Sequence, residues 1–201
     1  MTRRQWLIVG SLTLVTVALF VAFLFVVLTA PSGASVSVPW PQRTYAPPVA
    51  AITARSAYLV AQEAALNWQE DAYLTSTSAS WPSATVDAFG DPVPWVFQFY
   101  SPSGGKVNVI SVEGGEARAL RQSYAPYTLS AIAPDAWQVD SPQPLAEWLN
   151  AGGGRFLRAH TLVDVHASLR YDKKSRQLVW YVTGLDSAGT DVFSHAIQAA
   201  P

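Results

Sequence analysis

Two stretches of this chain align without a gap when one is moved by 85 positions. Residues 93–115, VPWVFQFYSPSGGKVNVISVEGG, fall on residues 178–200, LVWYVTGLDSAGTDVFSHAIQAA. Trp95 meets Trp180, Phe97 meets Val182, Tyr100 meets Leu185, Gly104 meets Gly189, Val107 meets Val192 and Val112 meets Ile197. In both, an aromatic run and an apolar run flank a glycine-bearing polar turn, which is the pattern of a β-hairpin. The same order in two places predicts one supersecondary unit used twice. The rest of the chain is placed around these two hairpins.

Upstream of the first hairpin, Thr53 reads as an N-cap. The following 54–70 stretch carries Ala57, Val60, Ala61 and Ala64 at helical spacing, so one face is apolar and narrow. A β-prone run then extends to Ser80. Val93, Trp95, Phe97 and Phe99 share one parity and face a core. Upstream of the second hairpin, Ser141 reads as an N-cap with Pro142 at the first helical position. Leu145, Trp148 and Leu149 form the apolar face, and Asn150 to Gly154 stop the helix. Residues 155–158 are expected to resume as β-like chain. Val163, Val165, Ala167 and Leu169 then alternate with Asp164, His166, Ser168 and Arg170, the pattern of a half-buried strand. The expected fold is α+β: an N-terminal transmembrane helix followed by two helix-plus-three-strand antiparallel units. Their boundaries are 53–115 for the first unit, 116–140 for an aromatic- and proline-rich connector, and 141–201 for the second. Within the connector, 117–122 reads either as one helical turn or as continued strand.

Residues 6–28 hold no charge over 23 positions. About 20 apolar residues at 1.5 Å each cross a hydrocarbon core of roughly 30 Å, and backbone in lipid must bond to itself as a helix. Arg3 and Arg4 precede the run, and the next stretch carries only Arg43, so the N-terminus is expected in the cytoplasm and the remainder outside. Trp6 fits the interfacial aromatic position. Residues 1–30 are thus a cytoplasmic tip and membrane anchor, in contact with lipid through residues 6–28. A cleaved signal peptide is the competing reading, but its apolar core spans only about 7–15 residues. Residues 31–52, with several prolines, form an extended stalk. Trp40 and Tyr45 lie at the lipid surface or on the domain.

The chain contains no cysteine, which excludes disulfides, thiolate nucleophiles and Cys-based zinc sites. A domain outside the cell must then cohere by packing, and eight Trp, eight Tyr and eight Phe supply the rings for it. The net charge of −1 provides no basic stripe, so nucleic acid is not an expected partner.

The helix-then-strands order, the Trp95-Val96-Phe97 and Trp180-Tyr181-Val182 strands before their turns and the apolar last strand resemble the PepSY-type unit, which is cystatin-like in fold. An N-terminal anchor followed by two such units also resembles the membrane-anchored TseB-like regulators of cell-wall elongation. The resemblance covers roughly 53–115 and 141–200. It implies noncatalytic binding to a membrane enzyme or peptidase and transfers no catalytic residue. The aspartate–aromatic–Thr-Gly ending of the family's last strand is replaced here by Ile197-Gln198-Ala199-Ala200-Pro201.

Asp164 and His166 lie two apart on one strand face, with His160 near in sequence, a grouping that suits metal binding or acid–base chemistry. The plainer reading is a polar outer face, and no second ligand cluster supports a site. His195, between Phe193 and Ile197, reads as a core or interface histidine. No G-x-S-x-G or Ser-x-x-Lys is present, Gly152 to Gly154 lacks the lysine of a phosphate loop, and Asp71, Glu113 and Asp186 fall in different elements. No catalytic, cofactor or metal residues are therefore assigned. Trp40, Trp81 and Trp137, in proline-rich loop contexts, are the candidates for an exposed contact surface. The function expected is a single-pass, extracytoplasmic, noncatalytic protein-binding module, a regulator or accessory subunit of an envelope complex. A small-ligand binder with a cleft between the units is the alternative, and an envelope hydrolase centred on Asp164 and His166 ranks below it.

Overall fold

The computed structural model describes residues 44–46 and 52–200. The anchor residues Arg3, Arg4 and Trp6, the 6–28 segment and Trp40 lie outside the described residues. Among those described, no helix is long and apolar enough to cross a membrane.

The architecture is α+β, built on one seven-stranded antiparallel sheet in the order β4-β3-β2-β1-β5-β6-β7. Helix α1 (Ala54–Trp68) precedes β1 (Tyr73–Trp81), and a short 3-10 turn (Ala88–Gly90) precedes β2 (Trp95–Ser101). Strands β3 (Lys106–Glu113) and β4 (Glu116–Tyr124) follow. Helix α2 (Pro142–Trp148) runs through a π-helical turn (Leu149–Gly153) into α3 (Gly154–Ala159). Strands β5 (Val163–Asp172), β6 (Gln177–Asp186) and β7 (Val192–Gln198) complete the chain.

The two hairpins have one register. Trp95 pairs with Val112, Phe97 with Ile110, Phe99 with Asn108 and Tyr100 with Val107. Eighty-five positions on, Trp180 pairs with Ile197, Val182 with His195, Gly184 with Phe193 and Leu185 with Val192. The halves are not walled off from each other. β1 pairs with β5 from Ser76↔Arg170 to Trp81↔Val165, so both hairpins hang from a shared central seam.

Three elements differ from the sequence reading. Residues 116–124 form a strand, β4, turned back on β3 through Gly114 and Gly115 at φ +59° and +85°, so the first half carries four strands. The glycine run does not end the second helix. Gly152 alone leaves helical geometry, at φ +139°, and the chain re-enters the helix at Gly154, so residues 155–158 are helical and not β-like. A Cβ on Gly153 would lie 2.4 Å from the Trp148 ring, which makes this kink a packing feature. Third, Ser141 does not cap its own helix. Its buried hydroxyl accepts from the Ala54 N–H of α1 at 3.0 Å, and the Asp140 carboxylate accepts from the Arg55 N–H at 3.1 Å. With Thr53 accepting from Ser56, the first-turn donors of α1 are satisfied, two of them by the other half of the chain.

The described helices pack on one face of the sheet. Ala54, Ala57, Ala61 and Ala65 bring α1 close to it, as small residues allow, and Tyr58 lies against Phe97, Phe99 and Trp137. Phe89, Trp81, Trp95, Trp180 and Trp137 follow one another at centroid spacings of 5.4, 6.1, 6.1 and 6.1 Å. Trp81 and Trp137 are therefore core residues, 4% and 1% exposed, and not a contact surface. Proline stands near both in sequence, but the two rings turn inward and join the aromatic row over the seam.

Ser141→Ala would leave the buried Ala54 N–H without an acceptor and should lower unfolding stability by about 1–3 kcal/mol. Gly153→Ala, forced against Trp148, should cost about 1–3 kcal/mol. Chemical denaturation of the full chain, followed by tryptophan fluorescence, reads both.

Candidate functional site

The face of the sheet opposite the helices is lined by short polar side chains. Pairing sets Ser80 beside His166, Ser78 beside Ser168 and Ser76 beside Arg170 across the β1–β5 seam. Thr183 follows His166 on β6, and its hydroxyl lies 2.9 Å from that of Ser194 on β7. Arg170 places its guanidinium 4.4 Å from the centre of the Tyr181 ring, within cation–π range. One end of this face is closed by a small cluster of Tyr100, Val107 and Ala125 with Tyr73 and Leu129.

Asp164 and His166 both project from this face, as the alternation predicts, but the structure does not join them to His160. Asp164 accepts the Ser83 N–H at 3.0 Å, which holds the turn after β1 at its positive φ of 50°. His166 Nδ1 lies 2.9 Å from Ser80 Oγ. Desolvation pushes the His166 pKa below its ordinary value, and the neighbouring Arg170 charge adds to it. This serine–histidine contact is a poor nucleophile pair. Among the described residues no carboxylate hydrogen-bonds His166, and β1 and β5 are central strands whose backbone N–H groups serve the ladders on both sides.

His160 instead meets the β6–β7 turn. Its Nε2 is 3.0 Å from Asp191 Oδ2 and its Nδ1 is 2.9 Å from the Phe156 carbonyl oxygen. Asp186 stands beside them, and one ring nitrogen of His160 and one carboxylate oxygen each of Asp186 and Asp191 lie within 4.8 Å of one another. Asp186 is also a turn clamp. Its Oδ1 accepts the Thr190 and Asp191 N–H groups and its Oδ2 the Thr190 hydroxyl, and these donors hold its pKa below the ordinary carboxylate value. Asp71 does the same for the β2–β3 turn, accepting from the Ser101 hydroxyl and the Ser103 N–H, with its pKa lowered in turn. Two of the scattered carboxylates thus fasten the two equivalent turns. The 85-residue shift brings Asp186 and Asp191 together, because it sets them on the closing pair Ser101↔Lys106, but it carries no signal for His160. His195 sits half-buried on the helix side of edge strand β7, paired with Val182.

Along the seam between the halves, Trp95 and Trp137 both pack against Trp180, and the indole N–H groups of Trp137 and Trp180 both donate to the Val139 carbonyl. Tyr45 belongs to the domain surface. Its backbone N–H donates to Asn150 Oδ1 at 2.7 Å and its carbonyl accepts from Asn150 Nδ2 at 3.0 Å. The Arg158 guanidinium donates to its phenol, and its ring covers Gly154.

His166, with its pKa lowered, binds fewer protons folded than unfolded between its folded value and about 6.5, so its contribution makes stability rise with pH across that window. Arg170→Gln should move its titration up toward the ordinary value without restoring it, since desolvation remains the larger cause; proton NMR of the ring checks this. No family model matches the chain, and no curated protein or solved structure matches it.

Proposed function

We propose that this chain is a single-pass, membrane-anchored module whose outer domain binds another protein without catalysing a reaction, as a regulator or accessory subunit of an envelope or membrane complex. The membrane placement rests on residues 6–28, and the likeness to tandem PepSY-type units rests on the two hairpins of common register. Both are part of this proposal.

The observation that carries the binding reading is the contrast between the two sheet edges. β4 is guarded. It bears Glu116, Arg118 and Arg121, and a bulge leaves Leu120 without a ladder partner. Charges and bulges on an edge discourage pairing with a further strand. β7, VFSHAIQ, has no Lys, Arg, Asp, Glu or Pro, and its register with β6 is unbroken over seven pairs. Among the described residues no strand occupies its outer side. A regular edge without Lys, Arg, Asp, Glu or Pro, beside a hydroxyl-lined face, suits an extended segment of a partner added by main-chain pairing.

Lysine at both Ser194 and Ala196 would guard this edge as β4 is guarded. The expected outcome is loss of the copurifying partner from gently solubilised membranes, with an unchanged melting temperature. A wild-type chain that stays a solitary monomer in several mild detergents would sink the reading.

A further inference from the structure

We propose that His160 is held as an imidazolium clasping the end of α3 to the residue that leads into β7, and that its neutralisation frees the β6–β7 turn. The argument is one of donors and acceptors. The Phe156 carbonyl only accepts, so Nδ1, at 2.9 Å, carries a hydrogen. An ionised Asp191 only accepts, so Nε2, at 3.0 Å, carries one as well. A ring with both nitrogens protonated is a cation. The neutral ring keeping the Nδ1 hydrogen would aim its Nε2 lone pair at Asp191, with Asp186 also nearby.

The surroundings suit a cation. Asp186 and Asp191 face it from the turn. Arg155 and Arg158 lie on its own helix, and the Arg158 guanidinium is engaged by Tyr45. The ring lies against Phe156 at a centroid distance of 4.3 Å, and Phe156 stacks on Phe193 of β7. The Phe156 carbonyl, then Asp191, raise the His160 pKa above its ordinary value. A histidine with a raised pKa contributes its full stabilisation below the unfolded value near 6.5, and that stabilisation is lost as pH rises through the folded value.

The turn is tied to the 160–162 segment by two links. One is the Ser187 N–H to Leu162 carbonyl bond at 3.0 Å, which does not titrate. The other is the clasp, and Asp191 is the residue immediately before β7. Loss of the proton therefore loosens the start of the edge strand while Asp186 keeps the turn's internal bonds. As a control on partner binding, this rests on the reading of β7 given above; as a property of the fold it does not.

The test uses the full-length chain. Nitrogen shifts of the His160 ring should show both nitrogens protonated at pH 6, with a midpoint above that of an ordinary histidine, and Asp191→Asn should bring the midpoint down. Amide exchange over 187–192, compared at equal pH, should be about twofold to fivefold faster in Asp191→Asn below the wild-type midpoint, and equal above it. His160→Gln, neutral at every pH, should behave like Asp191→Asn and guards against a variant that merely disturbs the turn. A neutral ring at pH 6, a midpoint unmoved by Asp191→Asn, or a protection that a chelator abolishes would overturn the proposal, the last by assigning the seat to a metal ion. None of these readouts involves a partner, so they fail or succeed separately from the β7 reading.

Discussion

The contact between Trp95 and Trp180, edge to face at 6.1 Å over the β1–β5 seam, is the constraint on which the fold depends. Without cysteine, the chain has no disulfide to hold its halves together. Aromatic rings bury about 150–250 Å² each and gain further from edge-to-face geometry. Here they run unbroken from Phe193 and Trp148 through Phe89, Trp81, Trp95, Trp180 and Trp137 to Tyr58. The indole N–H groups add direction to that burial. Trp95 donates to the Ile52 carbonyl, and Trp137 and Trp180 to that of Val139, so irregular segments are fixed by the same side chains that fill the core, while Trp148 donates to the Phe193 carbonyl of β7. Thr77 Oγ1, Trp81 Nε1 and Asn108 Oδ1 are buried without a partner among the described residues, a cost the packing offsets.

Helices on one face leave the other face of the sheet to small polar groups, the usual economy of an antiparallel sheet. Central hydroxyls pair across strands there, Thr183 with Ser194 and Ser80 with His166. The charges that do occur are tied locally: Asp164 to the Ser83 amide, Arg170 to the Tyr181 ring.

The hairpins were legible because period-two alternation survives in the bare sequence. The ungapped shift of 85 placed Trp95, Phe97, Val107 and Val112 on partners that share their register. The α1 face and the β5 alternation were legible for the same reason. Other features were not, because their causes lie far away along the chain. Ser141 looks like an ordinary cap, and only the fold shows that its hydroxyl serves Ala54, 87 residues earlier. Gly152 to Gly154 looks like a stop, yet the helix resumes because the glycines make room for the rings of Trp148 and Tyr45. Trp81 and Trp137 look like surface residues because local proline marks a loop, while burial is decided by the layer beneath. His160 was grouped with Asp164 and His166 by proximity in sequence, but the turn it meets lies 31 residues onward.

The paired bonds between Tyr45 and Asn150 settle where the chain ahead of the domain is fastened. They reproduce, with one side-chain amide, the two-point grip a neighbouring strand would give, and the phenol–guanidinium contact and the Gly154 platform lock the same residue from two other sides. Tension arriving from the N-terminal direction is thus delivered to the kinked helix of the second half before it reaches α1. The attachment is shared by Asn150, Arg158 and Gly154, and the helix that carries all three is the one whose far end carries His160.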